Sequence, residues 1–353
     1  MNQPLGVQIA PWTSAREVYE SASLLGKAFE VVWVPDQLLA RNAYVLLAAL
    51  AASGRVGVAS GVAVPLGRNP VELASAMATI AELVPVDRPV LMGMGAGGPL
   101  VSSMFVKRGA TDLLGEAIGL IRRLWAGEQV TLGDYPMITS RLCWRADATA
   151  RLGYPVPRNI PIVLAVGGPR TLRLVEDAAD GLLCTSTFPR LSYAALAAGS
   201  DGITTIRELV ARRAQVDRPL RLVYGLNCCV SANRGHARAF ARRQVALILG
   251  NPALRAELAA AGLDPAATAA VRAAFTSGGG LDEAAQRLPE EVVDAFVVAG
   301  EPQECAERLT NTVAIARRAG FTDFYLGAPL GPDLHEAARL LVDVVVPQVW
   351  PAA

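Results

Sequence analysis

The sequence predicts a (β/α)8 (TIM) barrel with insertions, on three observations. Eight apolar runs of strand length alternate with helical patterns, and each connection is long enough for a crossover helix. The 353 residues also leave room for a barrel of ~250 residues plus inserted segments. A doubly wound open sheet uses the same alternation, but the count of eight favours the closed barrel. The chain reads as a single domain, residues 1–353, with insertions at about 127–159 and 250–295.

Leu5 to Ala10 is the first strand, and Ser14-x-x-Glu17 has the spacing of a capping box that opens the first helix. Glu30 to Val34 (EVVWV) is the second strand, ending at Pro35-Asp36-Gln37, and Ala43 to Ser53 is the second helix. The third strand, Arg55 to Val64 (RVGVASGVAV), is interrupted by Gly61. After Arg68-Asn69-Pro70, a helix places Leu73, Met77, Ile80 and Val84 on one face. Val90 to Met94 is the fourth strand and runs into a glycine-rich turn at 95–98; Ala110 to Trp125 is the fourth helix. The weakly periodic stretch from Gly127 to Asn159 reads as an inserted loop.

Pro161 to Ser186 (PIVLAVGGPRTLRLVEDAADGLLCTS) contains a complete strand–helix–strand unit. Ile162 to Val166 is apolar and closed by Gly167-Gly168; Pro169 stands where a first helical residue is expected. Leu172, Val175 and Ala179 follow at helical spacing, Asp180-Gly181 stops the helix, and Leu182 to Thr185 is the next strand. Free N–H groups at that helix start suit a phosphate, and glycines allow close approach. Ile203, Ile206 and Val210 mark a further helix, and Leu220 to Val230 is the seventh strand. Short helical patterns fill 234–295. Asp323 to Leu326 is the last strand, and Gly331-Pro332-Asp333 opens the final helix.

Composition narrows the partners. A hydrophobic fraction of 52% looks membrane-like, but the most apolar run, Pro89 to Val106, holds four glycines, two prolines and two serines, as a strand and loop would. No signal peptide is read at Met1 to Arg16. The net charge of +1 gives no reason to expect nucleic acid or an anionic membrane, so a small molecule is the expected partner. Five cysteines without metal-site spacing argue against a disulfide framework and against a metal site, and a cytoplasmic location follows. His236 and His335, the two histidines, read as solvated surface residues.

In a barrel the active site lies at the C-terminal strand ends. The residues there are Gln8, Asp36, Gln37, Gly61, Val62, Gly95, Gly97, Gly167, Gly168 and Thr185. They offer backbone donors, apolar walls and one carboxylate, with no nucleophile–base pair. A bound cofactor must therefore carry the reaction. Trp12, Trp33 and the two insertions are available to shape a substrate cavity.

LGVQIAP, VVWVPDQ, SGVAVPLGRNPVELASAMATI, LMGMGAG, IPIVLAVGGPRTLRLVEDAADGLL, DAFVVAGEPQE and YLGAPLGPD, in this order, resemble the luciferase-like superfamily, and within it the deazaflavin-dependent methylenetetrahydromethanopterin reductases. The resemblance spans Leu5 to Pro347 and implies a (β/α)8 barrel that binds coenzyme F420 at its C-terminal face. It implies a cis peptide at Gly61-Val62 within a bulge of the third strand, behind the deazaflavin ring. By the same likeness Asp36 lies beside the ring's polar edge, and Val62 and Ala63 line its face. Gly167, Gly168, Pro169 and Arg170 receive the phosphate-bearing side chain. Gly95, Gly97 and Thr185 complete the candidate cofactor-binding set.

Two positions depart from the reductase pattern: Gln8 stands where these enzymes have glutamate, and Gln37 where they commonly have histidine. An amide can hydrogen-bond but cannot deliver a proton as a carboxyl group does. Gln8 and Gln37 are nevertheless the candidate catalytic positions. The resemblance also implies a homodimer, as is common among these reductases. Two other functions use the same sequence: an FMN-dependent monooxygenase, because one phosphate site serves either cofactor, and a flavin- or pterin-binding barrel without catalysis, because of the two glutamines.

Overall fold

A computed structural model describes residues 5–97, 104, 109–166, 169–250, 258, 265–276 and 278–351. Its parallel strands follow the order β10-β9-β11-β1-β2-β3-β4-β7-β8, a (β/α)8 barrel carrying one additional short strand. In chain order the first half comprises β1 (Leu5–Gln8), α1 (Ala15–Leu25), β2 (Val31–Val34), α2 (Ala43–Ala52), β3 (Gly57–Ala63), α3 (Pro70–Leu83), β4 (Val90–Met94) and α4 (Ala110–Trp125). Next come β5 (Val130–Thr131), α5 (Pro136–Arg141), β6 (Thr149–Ala150), β7 (Ile162–Ala165), α6 (Pro169–Ala178) and β8 (Gly181–Thr185). Then follow α7 (Tyr193–Ala198), α8 (Asp201–Gln215), β9 (Arg221–Val230), α9 (Arg234–Gly250), α10 (Pro265–Thr276), α11 (Gly280–Gln286) and α12 (Glu290–Asp294). The chain finishes with β10 (Val298–Gly300), α13 (Pro302–Arg318), β11 (Asp323–Leu330), α14 (Leu334–Leu340), a π-helical turn over Leu341–Val345, and α15 (Val346–Val349).

Two compact units divide this order. One holds Gln8–Leu183 with Pro219–Arg221; the other holds the chain up to Val7, Cys184–Arg218 and Leu222 onward. In the first unit β2, β3, β4, β7 and β8 are parallel neighbours, with Val31↔Gly57, Val58↔Val90, Met92↔Ile162 and Val163↔Gly181 in register. Their buried valines and leucines are the apolar runs of the sequence, because a parallel sheet is covered on both faces. The helices start where local chemistry dictates. Ser14 and Glu17 form the capping box on α1; Asn42 caps α2; Asn69 caps α3, with Pro70 in its first turn.

In the second unit β9 pairs with β11 and β10, and β1 pairs with β11 through Leu5↔Phe324 and Val7↔Leu326. A separate apolar cluster joins α9, α10, α11 and α12 around Val245, Leu249, Val271 and Phe296. Where the expected insertion at 250–295 is described, it contributes α10, α11 and α12 to this cluster. His236 and His335 are exposed. Among the described residues no helix is long and apolar enough to cross a membrane.

Several expectations need correction. The segment 127–159 is not a plain loop: β5 and β6 pair antiparallel, and α5 lies between them. The Glu116 carboxylate on α4 accepts from the Met137 and Ile138 N–H groups (3.2 and 3.0 Å), so α5 gains its N-terminal partners from a helix rather than from its own sequence. β10 is too short for a periodic signal, yet it pairs with the end of β9. The first strand stops at Gln8, before Ala10, and the last runs to Leu330 after a register shift between Gly327 and Leu330. On α8 the buried face is Ile203, Ile206 and Leu209, rather than Val210.

Candidate active site

The third strand carries the feature around which the first unit's strand ends are arranged. Its ladder with β2 ends at Val34↔Ser60, and its ladder with β4 skips from Ser60↔Met92 to Ala63↔Met94, a bulge that leaves Gly61 and Val62 outside the regular pairing. The Gly61–Val62 peptide is cis, at the position the resemblance implies. Ser60 Oγ donates to Gly93 O at 2.9 Å, and the Gly95 N–H donates to Ala63 O at 3.0 Å, so the bulge is closed on the β4 side.

Glycines make this approach possible. A Cβ on Gly93 would lie 2.2 Å from Ser60 O, and one on Gly61 would lie 3.3 Å from the Trp33 side chain. Trp33, 2% exposed, is thus packed behind the bulge, whereas Trp12 is 56% exposed. Gly95 sits between Val62 and Ala165; a Cβ there would come within 3.0 Å of Val62 Cγ2. Gly97 has φ 96°, which favours glycine. Gly61 and Val62 are half-buried, while Ala63 is fully buried, so the surface this bulge offers is that of Gly61 and Val62.

Gln8 belongs to the same arrangement. Its Nε2 donates to Gly61 O at 3.3 Å. Asp36, at the end of β2, is buried and holds Arg68 bidentately: Nε to Oδ2 at 3.0 Å and Nη2 to Oδ1 at 2.8 Å. This bond is the first cause of an Arg68 pKa raised above its ordinary value. The Arg68 guanidinium also lies 5.8 Å from the Tyr44 ring centroid. The Tyr44 hydroxyl is buried without a hydrogen-bond partner, and burial, reinforced by Asp36, pushes its pKa well above the usual phenol range. Gln37 is half-buried, and among the described residues its side-chain amide has no hydrogen bond.

Beside Arg68 lies a cavity of about 290 Å3 between the β3–α3 loop, the start of α4 and α5, with Asn69, Leu113, Ile138 and Arg141 in its wall. Ile138, Arg141 and Leu142 of the 127–159 segment line this cavity. The sequence alone does not single out Tyr44 or Arg68. The LGRNP stretch places Arg68 directly after a strand, but its pairing with Asp36, 32 residues earlier, has no local signature.

Thr185 lies in the second unit. Its Oγ1 donates to Asn227 Oδ1 at 3.0 Å and also bonds Thr187 and Tyr325. Asn227 Nδ2 donates to Ala328 O at 2.7 Å, next to the cis Ala328–Pro329 bond, and Tyr193 donates to Asn227 O at 2.8 Å. Of the expected phosphate turn, Gly167 and Gly168 lie outside the described residues; Pro169 opens α6 and Arg170 is exposed.

A flat ring with one polar edge asks for an apolar wall and hydrogen-bonding groups not already engaged. Gly61 and Val62 would supply the wall, and the unpaired Tyr44 hydroxyl and the Gln37 amide the groups, so the residues present fit a deazaflavin-type cofactor. Fold and site together define a cofactor-using barrel enzyme of the (β/α)8 class. The family model for luciferase-like monooxygenases matches residues 2–319, and the chain belongs to that luciferase-like family.

Its relatives include the 5,10-methylenetetrahydromethanopterin reductase of Archaeoglobus fulgidus, 30% identical over 335 residues, covering 91% of this chain and 92% of the relative. The F420-dependent glucose-6-phosphate dehydrogenase of Beutenbergia cavernae is 30% identical over 290 residues, covering 80% and 75%. Among solved structures, the coenzyme F420-dependent tetrahydromethanopterin reductase of Methanopyrus kandleri superposes with a TM-score of 0.76 at 20% identity, over 99% of this chain and 100% of that one. An F420-dependent secondary alcohol dehydrogenase follows at 0.72 and 19%, over 99% of each.

Proposed function

We propose that this chain is a coenzyme F420-dependent oxidoreductase that transfers a hydride between the deazaflavin and a small organic substrate. The end-to-end match to F420-dependent reductases carries this reading, and the strand-three bulge with its unengaged polar neighbours supports it. When bound, F420 supplies two-electron hydride chemistry that no side chain can perform. Gly61 and Val62 form the apolar wall that keeps water from the reacting face. The Asp36–Arg68 pair fixes the polar end, where Tyr44 and Gln37 hydrogen-bond the ligand. Pro169 and Arg170, with the preceding glycines, receive the phosphate. Gln8 and Gln37 are amides: they hold and orient groups, and neither delivers a proton.

The substrate occupies the cavity bounded by α5, which gives the 127–159 segment a role in substrate choice. The whole chain acts as one barrel domain in the cytoplasm, where its unpaired cysteines are at home. It acts as a homodimer: α2 is apolar on every side, and its Val45 stays 62% exposed, a face suited to a second copy.

Titration with F420, followed by anaerobic oxidation of reduced F420 with candidate substrates, tests the function. Saturable F420 binding and oxygen-independent turnover are expected. Absence of F420 binding removes the reading, and oxygen consumption with reduced FMN replaces it with an FMN-dependent monooxygenase.

A further inference from the structure

Gly61 O lies where the β2 and β4 ladders have both left β3, so its partner must come from outside the regular pairing. Gln8 provides that partner from the end of β1. The facing carbonyl also fixes the orientation of the amide, because the oxygen end of the side chain would repel it.

We propose that Gln8 is a positioning residue: its amide holds the strand-three bulge by the Gly61 carbonyl, and an amide at this place makes the hold independent of pH. An amide donates whatever the pH. A carboxyl side chain donates only while protonated and, once ionised, presents a second acceptor to the carbonyl.

The strands around Gln8 do not offset such an ionised group, and Arg41, which reaches the loop after β1, donates to the Trp12 carbonyl. Within the described residues, β1, β2, β3 and β4 carry no charged side chain. Asp36 and Arg68, the charged groups at the end of β2 and after β3, are committed to each other. Gly61 in turn packs on Trp33, so a released carbonyl moves the surface that Gly61 and Val62 present. The effect on cofactor affinity rests on the F420 reading; the bond and its response to pH do not.

The test compares wild type with Gln8→Glu and Gln8→Met between about pH 3.5 and pH 7, a window that spans the ordinary glutamate pKa of about 4.3. The ratio of variant to wild-type F420 dissociation constants removes the cofactor's own titration. For Gln8→Glu it rises as the introduced carboxyl ionises, from its lowest value at the acid end to about tenfold at the neutral end, the size of one lost hydrogen bond. For Gln8→Met it is raised by a similar factor at every pH. In cofactor-free protein the Trp33 indole 1H–15N signal, assigned by Trp33→Phe, shifts with pH in Gln8→Glu and not in wild type.

A flat ratio for Gln8→Glu with wild-type affinity for Gln8→Met overturns the proposal. So does a change in kcat with cofactor affinity untouched, which would place Gln8 on the substrate. If wild type binds no F420, the function reading falls, and the Trp33 signal alone decides the role of Gln8: a pH-dependent shift in Gln8→Glu upholds it and a fixed signal overturns it.

Discussion

Polar residues gather at strand ends in both units, but they are treated in opposite ways. In the second unit Thr185, Asn227, Tyr325 and Tyr193 close on one another and on the Ala328 carbonyl, so the Thr185 proton is already spent on Asn227. In the first unit the Asp36–Arg68 pair is complete, yet the Tyr44 hydroxyl beside it is buried with no partner, and the half-buried Gln37 amide makes no bond among the described residues. The unmade bond of the Tyr44 hydroxyl costs about 1–3 kcal/mol, which a folded protein keeps only where something else is served. Position at a strand end thus leaves open whether a group's hydrogen-bonding capacity is already used, and that capacity differs between Thr185 and Tyr44.

Substitutions can break or sharpen this contrast. The largest effect is expected at Gly93: Gly93→Ala drives a methyl against the Ser60 backbone carbonyl and should cost about 3 kcal/mol in denaturant unfolding, with loss of F420 binding. Asn227→Ala strands Thr185 and the Ala328 carbonyl; it should lower stability by about 2 kcal/mol while moving F420 affinity far less. Should affinity collapse with stability intact, Thr185 belongs to the binding set and the contrast fails.

Tyr44→Phe removes an unsatisfied group, so the cofactor-free protein should melt no earlier than wild type and be stabilised by up to about 1 kcal/mol, while F420 binds several-fold more weakly. A destabilised Tyr44→Phe would mean the hydroxyl has a structural partner. Smallest in stability is Gln37→Met, expected within about 0.5 kcal/mol of wild type by thermal melting, with the loss appearing in kcat/KM.

Much of the barrel was legible in local sequence. Val90–Met94 and Ala110–Trp125 have in the structure the bounds that the sequence predicts, because an apolar run set between Arg88 and Gly95, and a strong amphipathic pattern, are signals within a few residues. The helix caps at Ser14 and Asn69 are equally local. Three-residue β10 offers no period to detect, and α5 owes its N-terminal partners to Glu116, 21 residues before Met137. The site was legible only as a set of strand ends. That Gln8 would hold Gly61, 53 residues away, and that Asp36 would be taken up by Arg68 are pairings that only the folded chain creates. The Gly61–Val62 bulge was placed by family resemblance, since a lone glycine in a strand has several ordinary uses.

The segment from Val130 to Ala150 has a consequence for how such an enzyme changes over time. It carries its own pair of strands, its short helix is tethered to α4 by one carboxylate, and it forms a wall of the cavity without contributing a strand to the barrel. A lineage can therefore rewrite this wall, residue by residue or by exchanging the whole segment, while leaving the eight-stranded scaffold and its cofactor surface untouched. With the substrate in that cavity, as proposed above, new substrates would become accessible by altering an attachment rather than the frame that bears it.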